Sequence, residues 1–364
     1  MATPVVDPVG TVAILSGEAP ELAAAELLTL VEGEGWRGSA KLLQPRLVLV
    51  RPALEAPLAA VALERLGLTH RLIALWAEAH FDGSPASLPQ RVPLPEGTFC
   101  VRVERVSGSW PTLDVPQLQR TLGERWGTAP RNPVSLVDPG TEVRVVLQGE
   151  LAFIGATFGT IERGPFQKRH VRNRPFFRPV SLSPPIARAL VVLSGVRPPQ
   201  AILDPCCGTG GFLLEAASAG VPCIGADIDS QMVQGALANL DHLGLAATAM
   251  VSSPLGELGA LLRGRGLATG GMVTDLPYGR SSTLFGSTPE RVVEDVLALA
   301  MEVLSPGAHI VLVSPQPIRE GAVPEGLEVV DRFSLRAHRS LTRYIVRLRR
   351  RAPDPAAEAE LRKA

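Results

Sequence analysis

Only three of the 364 residues are lysine and four are cysteine. The cysteines, Cys100, Cys206, Cys207 and Cys223, include an adjacent pair and no paired CxxC spacing. That pattern fits neither a disulfide framework nor a zinc site, so reduced, buried thiols and no metal are expected. Charges interrupt every apolar run before the ~18 residues that a membrane span needs. The opening MATPVVDPVGTVAIL lacks a basic stretch and a small-residue cleavage site, so a cytoplasmic protein is expected. No internal repeat is present. Net charge is also missing: 36 basic groups balance 36 acidic ones, which by formal charge speaks against a strongly basic nucleic-acid binder and a halophile-like protein. What is present is 46% hydrophobic content over a length that allows two or three domains, enough for packed cores and too much for global disorder.

The zero charge is an average over blocks. Residues 1–162 carry 13 basic and 18 acidic groups, residues 163–203 carry 8 and none, residues 204–330 carry 5 and 14, and residues 331–351 carry 8 and 1. The cations of the two basic blocks are almost all arginine, whose planar fork chelates phosphate and stacks on bases. A GC-rich coding bias would produce the same preference. The two blocks would line one RNA groove if the closing strand returned beside the first of them.

Periodicity divides the chain. Residues 10–60 read as a strand (TVAIL), a helix (PELAAAELLTLVEG), a strand (RLVLVR) and a second helical stretch, APLAAVALERLGL. From about residue 76 a second unit begins, with the alternating strand TFCVRVERV, a helix around VPQLQRTLGERW and paired strands over residues 134–159. In the alternating strand Val101 and Val103 point inward and Arg102 and Glu104 outward. The segment ERGPFQKRHVRNRPFFRPVS has no period and reads as a basic linker. Strands and helices then alternate to the end, which means a parallel α/β sheet with an antiparallel edge. The domains expected are therefore 1–75, 76–162, a linker 163–180, 181–351 and a tail 352–364.

Two strand ends carry chemistry. The strand AIL runs into Asp204-Pro205-Cys206-Cys207-Gly208-Thr209-Gly210-Gly211 and then an apolar helix. Glycines at such a turn let a ligand approach the backbone and the helix N–H groups. An acidic residue before the glycines suits a cationic ligand rather than a diphosphate, and no full GxGxxG is present, which disfavours a dehydrogenase. Some twenty residues on, the strand CIGAD ends in Asp227, placed to take both hydroxyls of a ribose, and Asp229 caps the next helix. Together these read as a site for S-adenosylmethionine.

The other strand end is Thr274-Asp275-Leu276-Pro277-Tyr278-Gly279-Arg280-Ser281. The exocyclic amino group of a base is a poor nucleophile until hydrogen bonds to both its protons localise the lone pair. The Asp275 carboxylate and the Leu276 carbonyl can accept those bonds, Pro277 stiffens the loop, and Tyr278 stacks on a base flipped out of its helix. The plainer alternative is a strand-terminal Asp in a turn.

DPCCGTGGFLLEA, GADID, TDLPYGRSS, RPFFRPVSLSPPIARALVVLSGV and HRSLTRYIVRL together resemble the archaeal tRNA guanine-10 N2-methyltransferases, and the resemblance covers nearly the whole chain. It implies a Rossmann-like, S-adenosylmethionine-dependent methyltransferase domain preceded by an α+β ferredoxin-like unit and a THUMP module that docks tRNA. The implied activity is methyl transfer to a guanine N2 of tRNA, once or twice. The implied catalytic residues are Asp275, Leu276, Pro277 and Tyr278. The implied cofactor contacts are Asp204, Cys206, Gly208, Thr209, Gly210, Asp227, Ile228 and Ser252. Arg102, Arg105, Lys168, Arg169, Arg172, Arg174, Arg280, Arg339 and Arg343 are the candidate RNA contacts, although Arg102 and Arg105 also fit a solvated sheet face. The expected partner is tRNA, with no membrane, a monomeric enzyme and a small activating subunit as an open question. Two departures stand out: Leu276 replaces the first proline of the family's Asp-Pro-Pro-Tyr, and Ser252 or Ser253 replaces an acidic residue that reads the adenine. His338 is read as structural, and Phe176 and Phe177 either flank the adenine or pack the linker. The alternatives are another tRNA guanine or ribosomal RNA as substrate, and a THUMP RNA-binding protein without catalysis.

Overall fold

The computed structural model describes residues 7–44, 46–127, 130–178, 181–277, 288–338 and 341–352. The chain divides into two compact units, residues 1–162 and 163–364. Among the described residues no helix is long and apolar enough to cross a membrane.

The first unit is built on one seven-stranded sheet. Its elements are β1 (Gly10–Leu15), α1 (Pro20–Gly33), β2 (Ser39–Gln44), β3 (Leu47–Arg51), α2 (Ala56–Arg65), β4 (Thr69–His80), β5 (Phe99–Arg105), α3 (Val115–Trp126), β6 (Thr141–Gln148) and β7 (Leu151–Thr160), with strand order β2-β3-β1-β4-β7-β6-β5. α1 starts on Pro20 and α3 is capped by Asp114, whose carboxylate accepts the Gln117 N–H at 2.9 Å. β4 holds the sheet together, pairing with β1 (Ala74 opposite Thr11) and with β7 (Ala74 opposite Ala156). It crosses position 75/76, where a domain boundary was expected. Its sequence, THRLIALWAEAH, is rich in helix formers and gave no strand signal; pairing on both sides and a buried apolar run, Leu72 to Trp76, override that propensity. On β5 the alternation holds: Val101 is buried, Val103 packs against the same core, and Glu104 on the other face pairs with Arg71 at 2.9 Å and Arg144 at 3.0 Å.

The second unit has α4 (Gly164–Lys168), α5 (Pro184–Leu193), β8 (Ile202–Asp204), α6 (Gly211–Ser218), β9 (Cys223–Asp227), α7 (Ser230–His242), β10 (Ala249–Ser252), α8 (Leu255–Gly264), β11 (Gly271–Asp275), α9 (Pro289–Val303), β12 (His309–Ser314), β13 (Leu327–His338) and β14 (Leu341–Arg350). The sheet order is β10-β9-β8-β11-β12-β14-β13. The first five strands are parallel, and the closing hairpin adds β14 antiparallel to β12. This is a Rossmann-like doubly wound sheet with a reversed edge. One of its cores joins β8, β11 and β12 to α8 and α9 through Leu203, Met272, Leu312, Leu262 and Val296.

Residues 163–178 are part of this unit rather than a free connector. Phe166 is buried, with the guanidiniums of Arg169, Arg188 and Arg163 at 4.9, 5.5 and 5.9 Å from its ring centre. Glu215, in the middle of the apolar α6, is fully buried and receives Arg169 twice, at 2.7 and 3.0 Å, and Arg188 at 3.1 Å. Buried charges must be paired, and an acid inside FLLEAA has only the upstream arginines to meet.

Candidate active site

The chain leaves β8 for β9 on one side, and β11 lies on the other, so the strand order reverses at β8. Open α/β sheets form their crevice at the carboxyl ends of the strands beside such a point. Asp204, Asp227 and Asp275 are the last residues of β8, β9 and β11, three adjacent strands. Three carboxylates are thereby set along one edge by strand length alone.

Their environments differ. Asp204 is buried; its Oδ1 accepts the Thr274 hydroxyl at 2.9 Å and the Cys206 N–H at 3.3 Å. Burial outweighs these bonds and pushes its carboxyl up to about 8, with Asp227 and Asp275 adding repulsion. Asp204 is therefore neutral at pH 7 when nothing cationic is near. Burial also raises Asp227, whose oxygens accept the Gly208 N–H at 2.8 Å and the Asp229 N–H at 3.0 Å. Asp227 thus ties the glycine turn to the next strand and still has lone pairs for hydroxyl donors. Asp229 caps α7, accepting the Gln231 N–H at 2.8 Å, as expected from its position. Among the described residues no three acidic, His or Cys side chains converge closely enough to hold a metal ion.

The turn itself is shaped for a ligand. Gly208 has φ +50°, and a Cβ there would meet nothing within 4 Å; Gly210 has φ +80° and opens α6 with no side-chain cap. L side chains rarely adopt these angles, and the first N–H groups of the helix have no side-chain acceptor. Cys206 and Cys207 flank the turn as free thiols whose pKa values burial raises, so they are inert spacers. Thr209 is buried, Ile228 is 47% exposed after β9, and exposed Ser252 ends β10 beside Asp227 in register. Ser253 is buried with its hydroxyl donating to the Pro254 carbonyl, which leaves Ser252 as the available hydroxyl of the pair.

At the end of β11 the leucine in place of proline has a physical reason. Its N–H donates to the Val313 carbonyl at 2.9 Å, and its side chain is buried in the core. Proline would lack that donor. Pro277 is half-buried. Tyr278, Arg280 and Arg339 lie outside the described residues.

The structure corrects part of the cation list. Arg169 and Arg174 are buried, the first paired with Glu215, and Arg343 is also buried. Arg102 donates to the Leu136 carbonyl at 3.1 Å, and Arg105 to the carbonyls of Trp110 and Pro111 at 2.9 and 3.1 Å, so both brace their own loops. Lys168 and Arg172 are exposed. Within the second block Arg347 meets Asp331 and Arg349 meets Glu328. Much of the arginine excess is thus used inside the fold.

Three residues without a sequence signal complete the site. Thr274 holds Asp204. Asn239, fully buried on α7, accepts the Phe176 N–H at 3.0 Å and donates to the carbonyls of Phe176 at 2.7 Å and Thr209 at 2.9 Å. Gly235, one helical turn before Asn239, leaves the space that the Phe176 ring fills. This clamp fastens residues 174–177 to the glycine turn, which places Phe176 against α7. Phe177 is 52% exposed.

The model of the RMKL-like, methyltransferase domain family matches residues 171–319. The tRNA (guanine(10)-N2)-dimethyltransferase of Methanothermobacter thermautotrophicus is 32% identical over 91% of this chain and 97% of its own length. The tRNA (guanine(10)-N2)-dimethyltransferase of Pyrococcus abyssi is 32% identical over 77% of this chain and 84% of its own. The tRNA (guanine(6)-N2)-methyltransferase of Thermus thermophilus is 30% identical over 84% and 89%. Among solved structures, TrmN from Thermus thermophilus shares the fold with a TM-score of 0.54 and 23% identity, over 94% of this chain and 99% of that one. A methyltransferase sheet with acidic ends on β8, β9 and β11, and this similarity along almost the full length, place the chain in the family of the tRNA (guanine(10)-N2)-dimethyltransferases.

Proposed function

We propose that this protein transfers methyl groups from S-adenosylmethionine to the exocyclic N2 of a guanine in tRNA, guanine 10. The observation that carries the reading is the juxtaposition of Asp275-Leu276-Pro277 with the glycine turn at one edge of the sheet, where three acidic strand ends suit a cationic donor.

The residues present fit that cofactor. Gly208 leaves open space that a Cβ would fill, Asp227 retains acceptor capacity for ribose hydroxyls, and the clustered acids favour positive charge. Ile228 and Ser252 would border the adenine. When bound, S-adenosylmethionine supplies an electrophilic methyl carbon. The chain's own residues prepare the nucleophile. Asp275 accepts one N2 proton of guanine and the Leu276 carbonyl the other, which localises the nitrogen lone pair. The Leu276 side chain, anchored in the core, and its N–H bond to Val313 hold that carbonyl in place. Orientation and hydrogen bonds that strengthen as the nitrogen becomes tetrahedral supply the acceleration. The proton leaves after attack, so no strong base is required. Residues 1–162 would dock the tRNA, with Lys168 and Arg172 adding phosphate contacts.

The test is transfer of labelled methyl to unmodified tRNA followed by nucleoside mapping. N2-methylguanosine or N2,N2-dimethylguanosine at position 10 is the expected product. Label at guanine 6, the position in the Thermus relative's name, would correct the address, and any other modified base would overturn the reading. Asp275→Ala should abolish transfer with tRNA affinity nearly unchanged, and equal loss of both would remove Asp275 from its role.

A further inference from the structure

Asp275 and the Leu276 carbonyl take the two N2 protons of guanine, which leaves the O6 and N1–H beside them on the same edge of the base. O6 calls for a donor and N1–H for an acceptor, because a polar group taken out of water without a partner is costly. The direction of attack fixes where those groups lie. The nitrogen meets the methyl carbon on the side opposite the departing sulfur, so the ring of the base extends away from the donor. The glycine turn follows β8 on one side of β11, and β12 lies on the other side. The O6 and N1–H of the base are therefore directed towards the end of β12.

The chain at that end is built to hold one residue still. Asp275 pairs with Val313, and the Leu276 N–H bond to the Val313 carbonyl at 2.9 Å ties the two strand ends together. Ser314, the last residue of β12, is buried, and its hydroxyl accepts the Gln316 N–H at 3.2 Å. Gln316 stands between Pro315 and Pro317; both fix their own φ, and Pro317 disfavours the helical region for Gln316. Beyond them Ile318 is buried in the same core as Leu276, and its carbonyl accepts Nη1 of Arg332, on β13, at 2.8 Å. Gln316 itself is exposed, and its side-chain amide makes no hydrogen bond among the described residues.

The residue type suits the task. Of residues 276–277 and 315–319, which follow the two strands, Gln316 has the one side chain carrying both a donor and an acceptor. Nε2 can donate to O6 while Oε1 accepts the N1–H, a cyclic pair that a planar amide matches. A glutamine kept for solvation gains nothing from a loop tied at both ends. A glutamine that binds a base does gain, because the loop is ordered before the base arrives.

We infer that Gln316 holds the O6 and N1–H of the target guanine and thereby sets the base preference of the transfer. The inference rests on the proposed N2-methyltransferase reading and adds to it a specificity-determining residue outside the β11 loop.

The experiment measures methyl transfer by the full chain, as wild type and as Gln316→Ala, to two tRNAs that differ only at the guanine identified by nucleoside mapping. One carries guanine there and the other 2-aminopurine, which keeps the exocyclic amino group and lacks O6 and the N1 proton. Wild type should favour guanine by about tenfold or more in kcat/KM, the discrimination expected of a bidentate base contact. Gln316→Ala should lose about tenfold on the guanine tRNA and stay within about twofold of wild type on the other, so the preference collapses. A preference that survives in Gln316→Ala, or a wild type indifferent to the two bases, would overturn the inference and leave N2 transfer standing. An equal loss on both tRNAs, as weakened cofactor or tRNA binding would give, would overturn it too. A wild type that methylates no guanine N2 in unmodified tRNA removes the proposed function together with it.

Discussion

Replacing Asp204 with asparagine removes one ionisable group from the floor of the crevice and keeps its shape. The amide oxygen can still receive the Thr274 hydroxyl and the Cys206 N–H. In the folded protein the carboxyl titrates at about 8, and in the unfolded chain at about 3.9. Between those values the native state keeps a proton that the unfolded chain has lost. The contribution to stability is therefore complete below the unfolded value and is lost as pH rises towards 8. At ~1.4 kcal/mol per pH unit, the Asp204 contribution to the stability of the ligand-free second unit should fall by about 4 kcal/mol between pH 5 and pH 8. Asp204→Asn should lack that contribution and keep those of Asp227, which burial shifts in the same direction, and of His309, whose imidazole burial pushes down to about 4 and which therefore acts in the opposite sense. The two proteins should converge in acid and separate at pH 8, with the variant the more stable. Urea unfolding followed by far-UV circular dichroism measures this. Parallel pH profiles for the two proteins, or a variant less stable than wild type at pH 8, would refute the burial argument.

Glu215→Gln leaves Arg169 and Arg188 without their counter-charge and should destabilise the second unit by about 3–5 kcal/mol, the usual cost of breaking a buried ion pair; an unchanged circular-dichroism midpoint would count against it. Gly235→Ala places a methyl group where the Phe176 ring packs, so the ring must move. Amide hydrogen exchange over residues 174–178 should speed up, and S-adenosylmethionine binding should weaken while tRNA binding holds. Unaltered protection of that segment would show that the clamp does not depend on Gly235.

What was legible in the sequence was whatever one stretch of chain decides for itself. α1 and α3 follow from apolar spacing, a leading proline and an Asp cap, and the strand-glycine-helix turn follows from the run after Asp204. The acidic ends of β8, β9 and β11 were readable because a strand of alternating or buried apolar residues stops where its first polar residue appears. The same local logic failed for β4, whose alanines, leucines and glutamate favour a helix until two neighbours claim its backbone.

The arginines make the contrast sharpest. Counting residues along the chain located the basic blocks and their excess, which is a property of composition. Which of those cations reach solvent depends on partners far away in sequence: Glu215 is 46 residues from Arg169, Asn239 is 63 from Phe176, and Thr274 is 70 from Asp204. Pairing across such distances leaves no periodic trace, because one buried acid in an apolar helix looks like a defect until the fold brings arginines to it. The sequence alone thus located the acidic end of β11 and the glycine turn. Tertiary burial decided that the Asp204 carboxyl is pushed up to about 8 and that Arg169 is spent on Glu215, since desolvation acts on the folded molecule and not on the string.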